Sequence, residues 1–482
     1  MQKPTPAPQT PRTFPAEEHP EPAAWSPAPQ AWSGGPDNDI VHGPLNRVLL
    51  RMAGPAILAK ALFATLALVD VFWVGRLGAA ATAAVNTGFF TSWILQAATA
   101  LTAIGILAYV SREIGAGNRE RAGRAAAQGL VTGVLLGAVL AVVVWFAAPR
   151  LFHLLGTAAD VREPGIVYLR ILFLAAPLSF TVANCESIMR AAGNTRTPLV
   201  VMGGMVLVNG VLDPLLIFGV GPFPRLEVMG AALATLLAQL LGVTVFAARA
   251  FAGDRSFPLD SSALRRLDWR LASKLVRTGM PPMAIGVLFS LIYLFLSGIA
   301  ARLGTLELAV LGLGNRTEAL TYLVSSGFAA ATAAVVGQNL GAGNAERAAR
   351  AAWRSALWMA GYGTFVGAVL IVWPQQVLGL FTTDAAVLEV GTTYTRILGL
   401  CHGLMAVEIV LENAFAGAGD TLPPMLISVP INLLRVPVVL FMVYRLEAGI
   451  LGIGWLLSIT AALRGVIAVI WFRRGGWKNK RL

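Results

Sequence analysis

The chain has 482 residues, of which 56% are hydrophobic and 13% charged, and its net charge is +12. A soluble globular protein carries about 25% charged residues, so this composition excludes that class, and the positive charge is read as membrane topology rather than as nucleic-acid binding. The two cysteines, Cys185 and Cys401, both lie inside apolar runs, which argues against a disulfide or thiol site. The sequence contains no HExxH motif, no GxSxG motif and no cluster of His, Cys and Asp, so we predict that it is not an enzyme.

The first 43 residues are rich in Pro, Ala, Gln and Ser and nearly free of aliphatic side chains. Such a segment cannot bury a core, and we predict a disordered, Pro-rich cytoplasmic tail over residues 1–43. It lacks the apolar region of a signal peptide, so the first membrane helix is expected to serve as the insertion signal.

After the tail, apolar runs alternate with short polar or glycine-rich joints. A helix of about 20 apolar residues spans the roughly 30 Å hydrocarbon core of a bilayer, so each run predicts one membrane-spanning helix. About twelve runs occur, at Leu49–Val74, Thr87–Tyr109, Gln128–Phe146, Val167–Met189, Leu199–Val220, Val228–Ala248, Pro281–Ala301, Leu311–Val336, Ala356–Val372, Thr393–Phe415, Met425–Tyr444 and Ile450–Trp471. The predicted fold class is an all-α polytopic membrane protein.

The two halves of the chain repeat each other. IGAGNRERAGRAA at Ile114–Ala126 recurs as LGAGNAERAARAA at Leu340–Ala352, and we call the separation of Ile114 and Leu340 along the chain the repeat offset. GIVYLRIL at Gly165 recurs as GTTYTRIL at Gly391, at the same offset. Several matches at one unchanging offset indicate a duplicated bundle of six helices.

The repeat divides the chain into two pseudo-symmetric six-helix lobes. The predicted units are an N-lobe over 44–253, a cytoplasmic linker over 254–274, a C-lobe over 275–472 and a basic cytoplasmic tail over 473–482. Because six is even, both copies cross the membrane in the same sense. Parallel repeats of this kind are typical of transporters that hold substrate between their halves and alternate access by rocking.

Lysine and arginine residues concentrate in alternate joints. These joints are near residues 112–124, 190–196, 255–277, 347–354 and 473–481, whereas the opposite joints carry only scattered cations. The positive-inside rule therefore puts both termini in the cytoplasm. We expect a multi-pass protein of the cell's inner (plasma) membrane.

The first apolar run carries an acid, Asp70. An ionised carboxylate in a bilayer is costly, so Asp70 predicts a functional site that faces the protein interior or water; the alternative is an acid near the span end that reaches the headgroup layer. Helix 5 adds Asn209 and Asp213, which are one turn apart and therefore share a helix face. The positions one repeat later hold Leu296, Arg435 and Val439. Asp70 and Asp213 thus have no acidic counterpart in the C-lobe, and the acids concentrate in the N-lobe.

These three residues are predicted to form one layer with two hydroxyl groups. A helix rises about 1.5 Å per residue, which puts Tyr168 and Thr235 near the same depth. Two carboxylates close together in a low dielectric cannot both carry charge cheaply. They can hold a proton or bind Na⁺ together with amide oxygens, and the sequence leaves both ions open. Asp70, Asn209 and Asp213 are the candidate Na⁺ ligands, and no cofactor besides the coupling ion is expected.

A further set of polar residues lies inside apolar runs. It comprises Lys60 in helix 1 and Glu318, His402, Glu408 and Arg435 in the C-lobe. Glu408 and Arg435 are able to reach each other, so we predict a structural salt bridge, with contact to a substrate as the alternative. Lys60 is able to snorkel, to pair with an acid across the cavity, or to influence Asp70. His402 is interpreted as a satisfied interior residue.

Five features occur along the chain, and the GAGN joint occurs once in each half. The features are VDVFWVGRLG at Val69–Gly78, the two GAGN joints, MRAAGNTRTP just after Glu186, NGVLDPLLIFG at Asn209 and GAALAT at Gly230–Thr235. With these features the chain from Pro44 to Trp471 resembles the multidrug and toxic compound extrusion (MATE) family, and within it the DinF-like branch. The resemblance implies two lobes around a V-shaped cavity and cation-coupled antiport of organic, often cationic compounds out of the cell.

The resemblance also implies roles for individual residues. The cation-coupling residues would be Asp70, Asn209 and Asp213, with Tyr168 and Thr235 as supporting hydroxyls and Pro55 as the hinge of helix 1. The expected partners are small organic substrates and the lipid bilayer, with no nucleic acid, and we expect a monomer.

The alternative function is a flippase of the related superfamily, which would move a lipid-linked precursor with an anionic diphosphate head. Such a cargo calls for several arginines that face the cavity. Only Arg435 and Arg316 are candidates in this sequence. Transport of organic cations is therefore the leading interpretation.

Overall fold

The computed structural model describes residues 38–154, 159–254 and 257–482, and every regular element within these ranges is a helix. The α-helices of these ranges are α1 (Asn38–His42), α2 (Leu45–Val74), α3 (Ala79–Gly115), α4 (Arg119–Leu154), α5 (Ala159–Leu174), α6 (Ala176–Ala191), α7 (Arg196–Phe218), α8 (Val228–Phe251), α9 (Trp269–Leu303), α10 (Thr305–Gly341), α11 (Ala345–Val372), α12 (Pro374–Gly379), α13 (Ala385–Gly399), α14 (His402–Ala418), α15 (Leu422–Tyr444) and α16 (Gly449–Arg473). Most of the predicted tail, residues 1–37, and Arg255 of the predicted linker lie outside the described residues.

The membrane spans agree in number with the sequence. Ten of the described helices are long and apolar enough to cross a membrane. Two further spans are bent pairs, α5 with α6 at 43° and α13 with α14 at 50°, so the total reaches twelve when each pair counts as one. The predicted all-α membrane fold is confirmed. The apolar runs at 167–189 and 393–415 were expected to be unbroken helices, but hydropathy does not register a bend inside an apolar run.

Both bends occur where two helix backbones touch. Pro177 stands in the first turn of α6 and lacks an N–H, so it cannot bond back to the carbonyl of Phe173. Gly137 of α4 lies so close to the backbone of Pro177 that a Cβ there would collide, and Gly363 of α11 approaches the carbonyl of His402 in the same way. Gly137 and Gly363 are separated by the repeat offset, so each repeat contains the same bend.

Helices α2–α8 form the N-lobe and α9–α16 the C-lobe. One hydrophobic cluster fills the N-lobe around Phe152, and another fills the C-lobe around Leu296. The largest cluster joins the lobes, because it contains Ile106 of α3 together with Val335 of α10. We call the side formed by the joints at residues 116–118, 192–195, 342–344 and 419–421 the basic face.

Near the basic face the two lobes are in backbone contact, where α3 crosses α10. Gly115 packs on the carbonyl of Gln338, and Gly341 packs on the carbonyl of Arg112. In both cases a Cβ would collide with the carbonyl oxygen. Gly115 and Gly341 are the first glycines of the two GAGN motifs, so the motif repeats because each copy closes against the other lobe.

The linker between the lobes is shorter than the sequence predicted. Asp268 caps α9 by accepting hydrogen bonds from the backbone N–H groups of Arg270 and Leu271, so the helix begins at Trp269, inside the predicted range 254–274. Upstream, the Ser262 hydroxyl donates to Oδ1 of Asp260 at 2.6 Å, and this hydrogen bond lowers the pKa of that carboxyl.

The linker is fixed to the N-lobe by Gln128 of α4. Its Nε2 donates to the carbonyls of Ala263 at 2.8 Å and Arg266 at 2.7 Å, and its Oε1 accepts from the backbone N–H of Asp268 at 2.8 Å. Gln128 is 3% exposed, so these hydrogen bonds satisfy all the polar groups of a buried side chain. The start of the C-lobe is thereby attached to the surface of the N-lobe.

Candidate functional site

Four of the five residues predicted for the N-lobe layer form a hydrogen-bonded cluster. Asn209 and Asp213 are one turn apart on α7, and Asn209 Nδ2 donates to Asp213 Oδ1 at 3.4 Å. The same Nδ2 lies 3.5 Å from Thr235 Oγ1 of α8, and the Thr235 hydroxyl donates to Asp70 Oδ2 of α2 at 3.4 Å. The cluster therefore draws on three helices: α2 supplies one acid, α7 supplies an amide and a second acid, and α8 supplies a hydroxyl.

The cluster is buried but loosely bonded. Asn209 and Asp213 have 0% exposure and Thr235 has 9%. The hydrogen bonds of 3.4–3.5 Å are longer than the usual 2.7–3.2 Å. Three acceptor atoms, Asp70 Oδ1, Asn209 Oδ1 and Asp213 Oδ2, are buried without a hydrogen-bond partner within the described part of the chain. Unpartnered buried acceptors of this kind suit a bound proton or cation.

Asp70 and Asp213 belong to one hydrogen-bonded network, which Asp70 joins through Thr235 and Asp213 through Asn209. A carboxylate only accepts hydrogen bonds, so a direct bond between Asp70 and Asp213 requires a proton on one of them. Neither side chain forms an ion pair with a Lys or Arg among the described residues. The site is therefore acidic, with neutral polar neighbours.

Tyr168, the fifth predicted residue, lies beside this cluster. Its side chain is 6% exposed and belongs to the hydrophobic cluster of the N-lobe. It is within electrostatic range of both Asp70 and Asp213, but no hydrogen bond between described residues joins it to them.

A proline interrupts the hydrogen bonding of α7 next to its two polar residues. Pro214 follows Asp213 directly and stands inside the helix. Because proline has no N–H, the carbonyl of Gly210 loses its helical partner one turn earlier. A freed carbonyl at this depth is tolerated where protein or water satisfies it, as at a polar site.

Helix α2 carries Pro55 and Lys60 on the way to Asp70. Pro55 is interior to α2, which runs on as one helix to Val74. Lys60 interacts electrostatically with Glu186 and Arg190 of α6, and these two form an ion pair at 3.6 Å. The three roles open to Lys60 from the sequence stay predictions.

The C-lobe contains a different polar cluster. Tyr293 Oη donates to Glu318 Oε2 at 2.8 Å, and the Thr321 hydroxyl is hydrogen-bonded to His402 Nδ1 at 2.7 Å. His402 is buried as predicted, but only its Nδ1 is satisfied, because its Nε2 has no hydrogen-bond partner among the described residues. Glu318 is thus tied to α9, the first helix of its lobe.

The predicted pairing of Glu408 with Arg435 is corrected. Glu408 Oε1 instead forms an ion pair with Nε of Arg464 at 3.3 Å, whereas Arg435 Nε donates to Thr460 Oγ1 at 2.9 Å. Arg435 stays within electrostatic range of Glu408, but α14 packs against α16, and α16 brings Arg464 to the acid. Arg435 is 2% exposed and its Nη1 has no hydrogen-bond partner in the described structure.

Sequence reasoning missed Arg464, Tyr293 and Thr460. The repeat carries the signal for Arg464, because the equivalent position of the first repeat is Ala238, so this cation too is found in one lobe only. The C-lobe cluster contains both cations and acids, whereas the N-lobe cluster contains acids with neutral groups. Within the described residues, no group of three or more His, Cys, Asp and Glu side chains is placed to hold a metal ion.

Comparison with known proteins identifies relatives along nearly the whole chain. A probable multidrug resistance protein, NorM, of Thermotoga maritima is 26% identical over 442 residues, which cover 90% of this chain and 94% of that protein. An FAD transporter of Shewanella oneidensis is 29% identical over 437 residues, which cover 89% of this chain and 94% of that protein. A crystal structure of MATE in the straight conformation superposes with a TM-score of 0.84 at 23% identity and covers 91% of this chain and 98% of that one.

A protein-family model described as MatE matches the chain twice, over residues 55–215 and 281–441. The second match begins and ends one repeat offset after the first, so the family model and the sequence repeats divide the chain in the same way. Since the two matches together cover more than half of its residues, the chain belongs to the MatE family of multidrug efflux transporters.

Proposed function

We propose that the chain is a secondary active exporter of amphipathic, often cationic organic compounds, with H⁺ or Na⁺ as the coupling ion and coupling acids in the N-lobe. The observation that carries the proposal is the cluster of Asp70, Asn209, Asp213 and Thr235 with its three unpartnered buried oxygens. Placing the coupling site in the N-lobe assigns the chain to the DinF-like branch.

The chemistry of the cluster supports a proton as the first candidate ion. Asp70 and Asp213 belong to one buried network, and two carboxyl groups in a low dielectric are favourable when one of them holds a proton. Na⁺ is the second candidate, because carboxylate, amide and hydroxyl oxygens are the hard ligands that such a cation prefers. Either ion neutralises the site, so an organic cation attracted by the acids is released when the ion binds.

The charge of the basic face supports an orientation of the chain in the membrane. Arginine and lysine concentrate there, so we assign this face to the cytoplasm, with both termini inside and the chain in the inner membrane. The lobes are in backbone contact at the basic face, and we propose that the cavity between them opens on the opposite side of the membrane. Alternating access then requires the lobes to separate at the basic face and to close on the opposite side. We propose that a single chain, as a monomer, completes this cycle.

Transport into inverted vesicles tests the proposal. We expect uptake of a fluorescent cationic dye to follow an imposed pH gradient, or failing that a Na⁺ gradient, and to be lost in Asp70→Asn and Asp213→Asn. Glu120→Gln is the matched control, because Glu120 is an exposed acid that pairs with Arg124 on the surface. Undiminished gradient-driven transport in both acid variants contradicts the proposal.

A second candidate function is export of an anionic organic compound. Arg435 favours it, since this guanidinium is buried in the C-lobe with one unpartnered nitrogen, and one relative is an FAD transporter. The lipid-linked precursor considered from the sequence would use the same arginine. Competition by FAD against dye uptake, compared between the unmodified chain and Arg435→Met, separates the candidates: export of an anion requires competition that Arg435→Met removes.

A further inference from the structure

The segments that lead into the two lobes occupy equivalent places on opposite lobes. Before α9, the linker is held on the N-lobe by Gln128. In the first turn of α2, Asn46 Oδ1 accepts a hydrogen bond from Arg354 Nη1 of α11 at 2.9 Å, which holds the start of that helix on the C-lobe. Gln128 and Arg354 are equivalent positions of the two repeats. The N-terminal segment is therefore the counterpart of the linker, but no peptide bond ties it to the C-lobe.

Helix α1 makes the other contacts of this segment. Arg347 Nη2 donates to the carbonyl of Ile40 at 3.3 Å and to that of Gly43, and Asn339 Nδ2 donates to the carbonyl of Ile40 at 3.4 Å. The Ile40 side chain is 1% exposed and packs on Gly193 in a joint of the N-lobe. Ile40 thus lies between the lobes at the basic face.

The C-terminal tail makes the reciprocal contact. Trp477 is 1% exposed and stacks on Phe472 with ring centroids 4.5 Å apart, which anchors the tail to the C-lobe. Nζ of Lys480 pairs with Asp420 at 3.1 Å, and the Lys480 carbonyl accepts from Arg112 Nη1 of the N-lobe at 2.6 Å. The tail therefore reaches from the C-lobe to the N-lobe, while α1 reaches the other way.

The repeat adds one more contact across the boundary. Arg112 and Gln338 are equivalent positions of the two repeats, and Gln338 Nε2 donates to the carbonyl of Ala191 in the N-lobe at 2.6 Å. Each member of this equivalent pair thus donates to a main-chain carbonyl associated with the opposite lobe. These hydrogen bonds all lie at the basic face, where the lobes close on each other.

We propose that residues 38–46 and 476–482 form a clasp that holds the basic face closed and releases when that face opens. The inference rests on the proposed alternating access. The clasp is non-covalent, and its charged donors Arg112 and Arg347 are half-buried, so its hydrogen bonds can break when the face opens and the closed arrangement stays reversible. Arg347 and Asn339 hold the N-terminal part, and Arg112 holds the C-terminal part.

A distance measurement on the full chain tests the clasp. Spin labels are placed at Arg196→Cys and Arg350→Cys, two exposed positions on opposite lobes at the basic face. Cys185 and Cys401, both free and buried, are replaced by alanine. The purified protein is reconstituted in nanodiscs without substrate or ion gradient. The double variant Asn339→Ala/Arg347→Ala is compared with the unmodified clasp.

We expect the double variant to gain a longer-distance population about tenfold larger, the factor that corresponds to about 1.4 kcal/mol. Arg121→Ala is the matched control, because Arg121 is the repeat equivalent of Arg347 and is exposed on α4. An unchanged distribution in the double variant, or an equal gain in the control, overturns the inference. If the double variant is not monodisperse, Arg354→Ala makes the same test with a milder change.

The readout separates this inference from the transport proposal. Distances are measured without substrate, so a gain of the longer distance supports the clasp even if no dye is transported. Gradient-driven transport together with an unchanged distance distribution overturns the clasp alone.

Discussion

Ser111 and Gly337 occupy the same position in the two repeats and lie against each other where α3 crosses α10. A Cβ on Gly337 would collide with the Ser111 hydroxyl, and it would lie 2.9 Å from Ser111 Cβ and 3.0 Å from the carbonyl oxygen of Gly417. Two equivalent positions can face each other only on the pseudo-two-fold axis. The axis that relates the lobes therefore passes through this contact, at the closed face.

The crossing predicts a strong effect of adding one methyl group. We expect Gly337→Ala to force α3 and α10 apart and to destabilise the closed arrangement by about 1–3 kcal/mol, the usual cost of overpacking. The measurement is the thermal unfolding temperature in detergent, which should fall. Ser111→Gly in the same chain should restore most of the loss, since it removes both side-chain atoms that the new methyl group meets.

Gly361→Ala is the control for this substitution. Gly361 is also inside a long helix, but no atom of a neighbouring group lies within 4 Å of its would-be Cβ. Alanine has the higher helix propensity, so this change should leave the unfolding temperature equal or raised. A fall of the same size in both variants would refute the role of the crossing.

The bridging hydroxyl of Thr235 predicts a graded effect on coupling. Thr235→Val keeps the volume but removes the group that links the Asn209 amide to Asp70. Because these hydrogen bonds are long, we assign them about 0.5–1.5 kcal/mol, the contribution of an ordinary hydrogen bond, so gradient-driven dye uptake should fall by about two- to tenfold. Thr235→Ser keeps the hydroxyl and should retain most of the uptake. Equal uptake by the valine and serine variants contradicts the assignment.

The ion pair between Glu408 and Arg464 predicts that removing one partner destabilises the protein more than removing both. Their side chains are 7% and 11% exposed, and removing one partner of a buried pair costs about 3–5 kcal/mol because the other charge is left alone. We expect Glu408→Gln to lower the unfolding temperature clearly, and Glu408→Gln/Arg464→Met to recover much of it. Glu120→Gln breaks an exposed pair and should change little. A double variant less stable than Glu408→Gln would count against the pair.

The attachment of the linker to Gln128 predicts a change in protease sensitivity. Gln128→Leu removes three hydrogen bonds and leaves the carbonyls of Ala263 and Arg266 unpaired. We expect trypsin to cut faster after Arg265 and Arg266, which are exposed in the linker. Gln375→Leu, at an exposed position in α12, is the control. Unchanged cleavage in Gln128→Leu would show that other contacts hold the linker.

The sequence alone predicts most of this architecture because a membrane restricts the chain so strongly. Each span must be a long apolar helix, so the number of spans follows from hydropathy. Depth follows from the fixed rise per residue, which is why Asp70, Asn209, Asp213 and Thr235 were expected in one layer. The unchanging offset between repeats then identifies the two lobes before any contact is known.

The sequence does not show which helices pack side by side within a lobe. Arg435 and Arg464 lie on adjacent helices at depths that both allow a bond to Glu408, and the choice depends on which helix packs against α14. Rotation of a helix about its axis and the order of helices around a lobe are set by packing of many side chains at once. The bends at Ala175 and Cys401 escape prediction for a related reason, because they depend on glycine contacts with a distant helix.

The equivalence of the N-terminal segment and the linker has a topological consequence. Both segments enter a lobe from the same face, and the C-terminal residue Leu482 packs on Gly419 at that face as well. A circularly permuted chain that begins in the linker and joins residue 482 to residue 38 would thus place the C-lobe first without moving a helix. We therefore expect the fold to form with either order of the lobes along the chain.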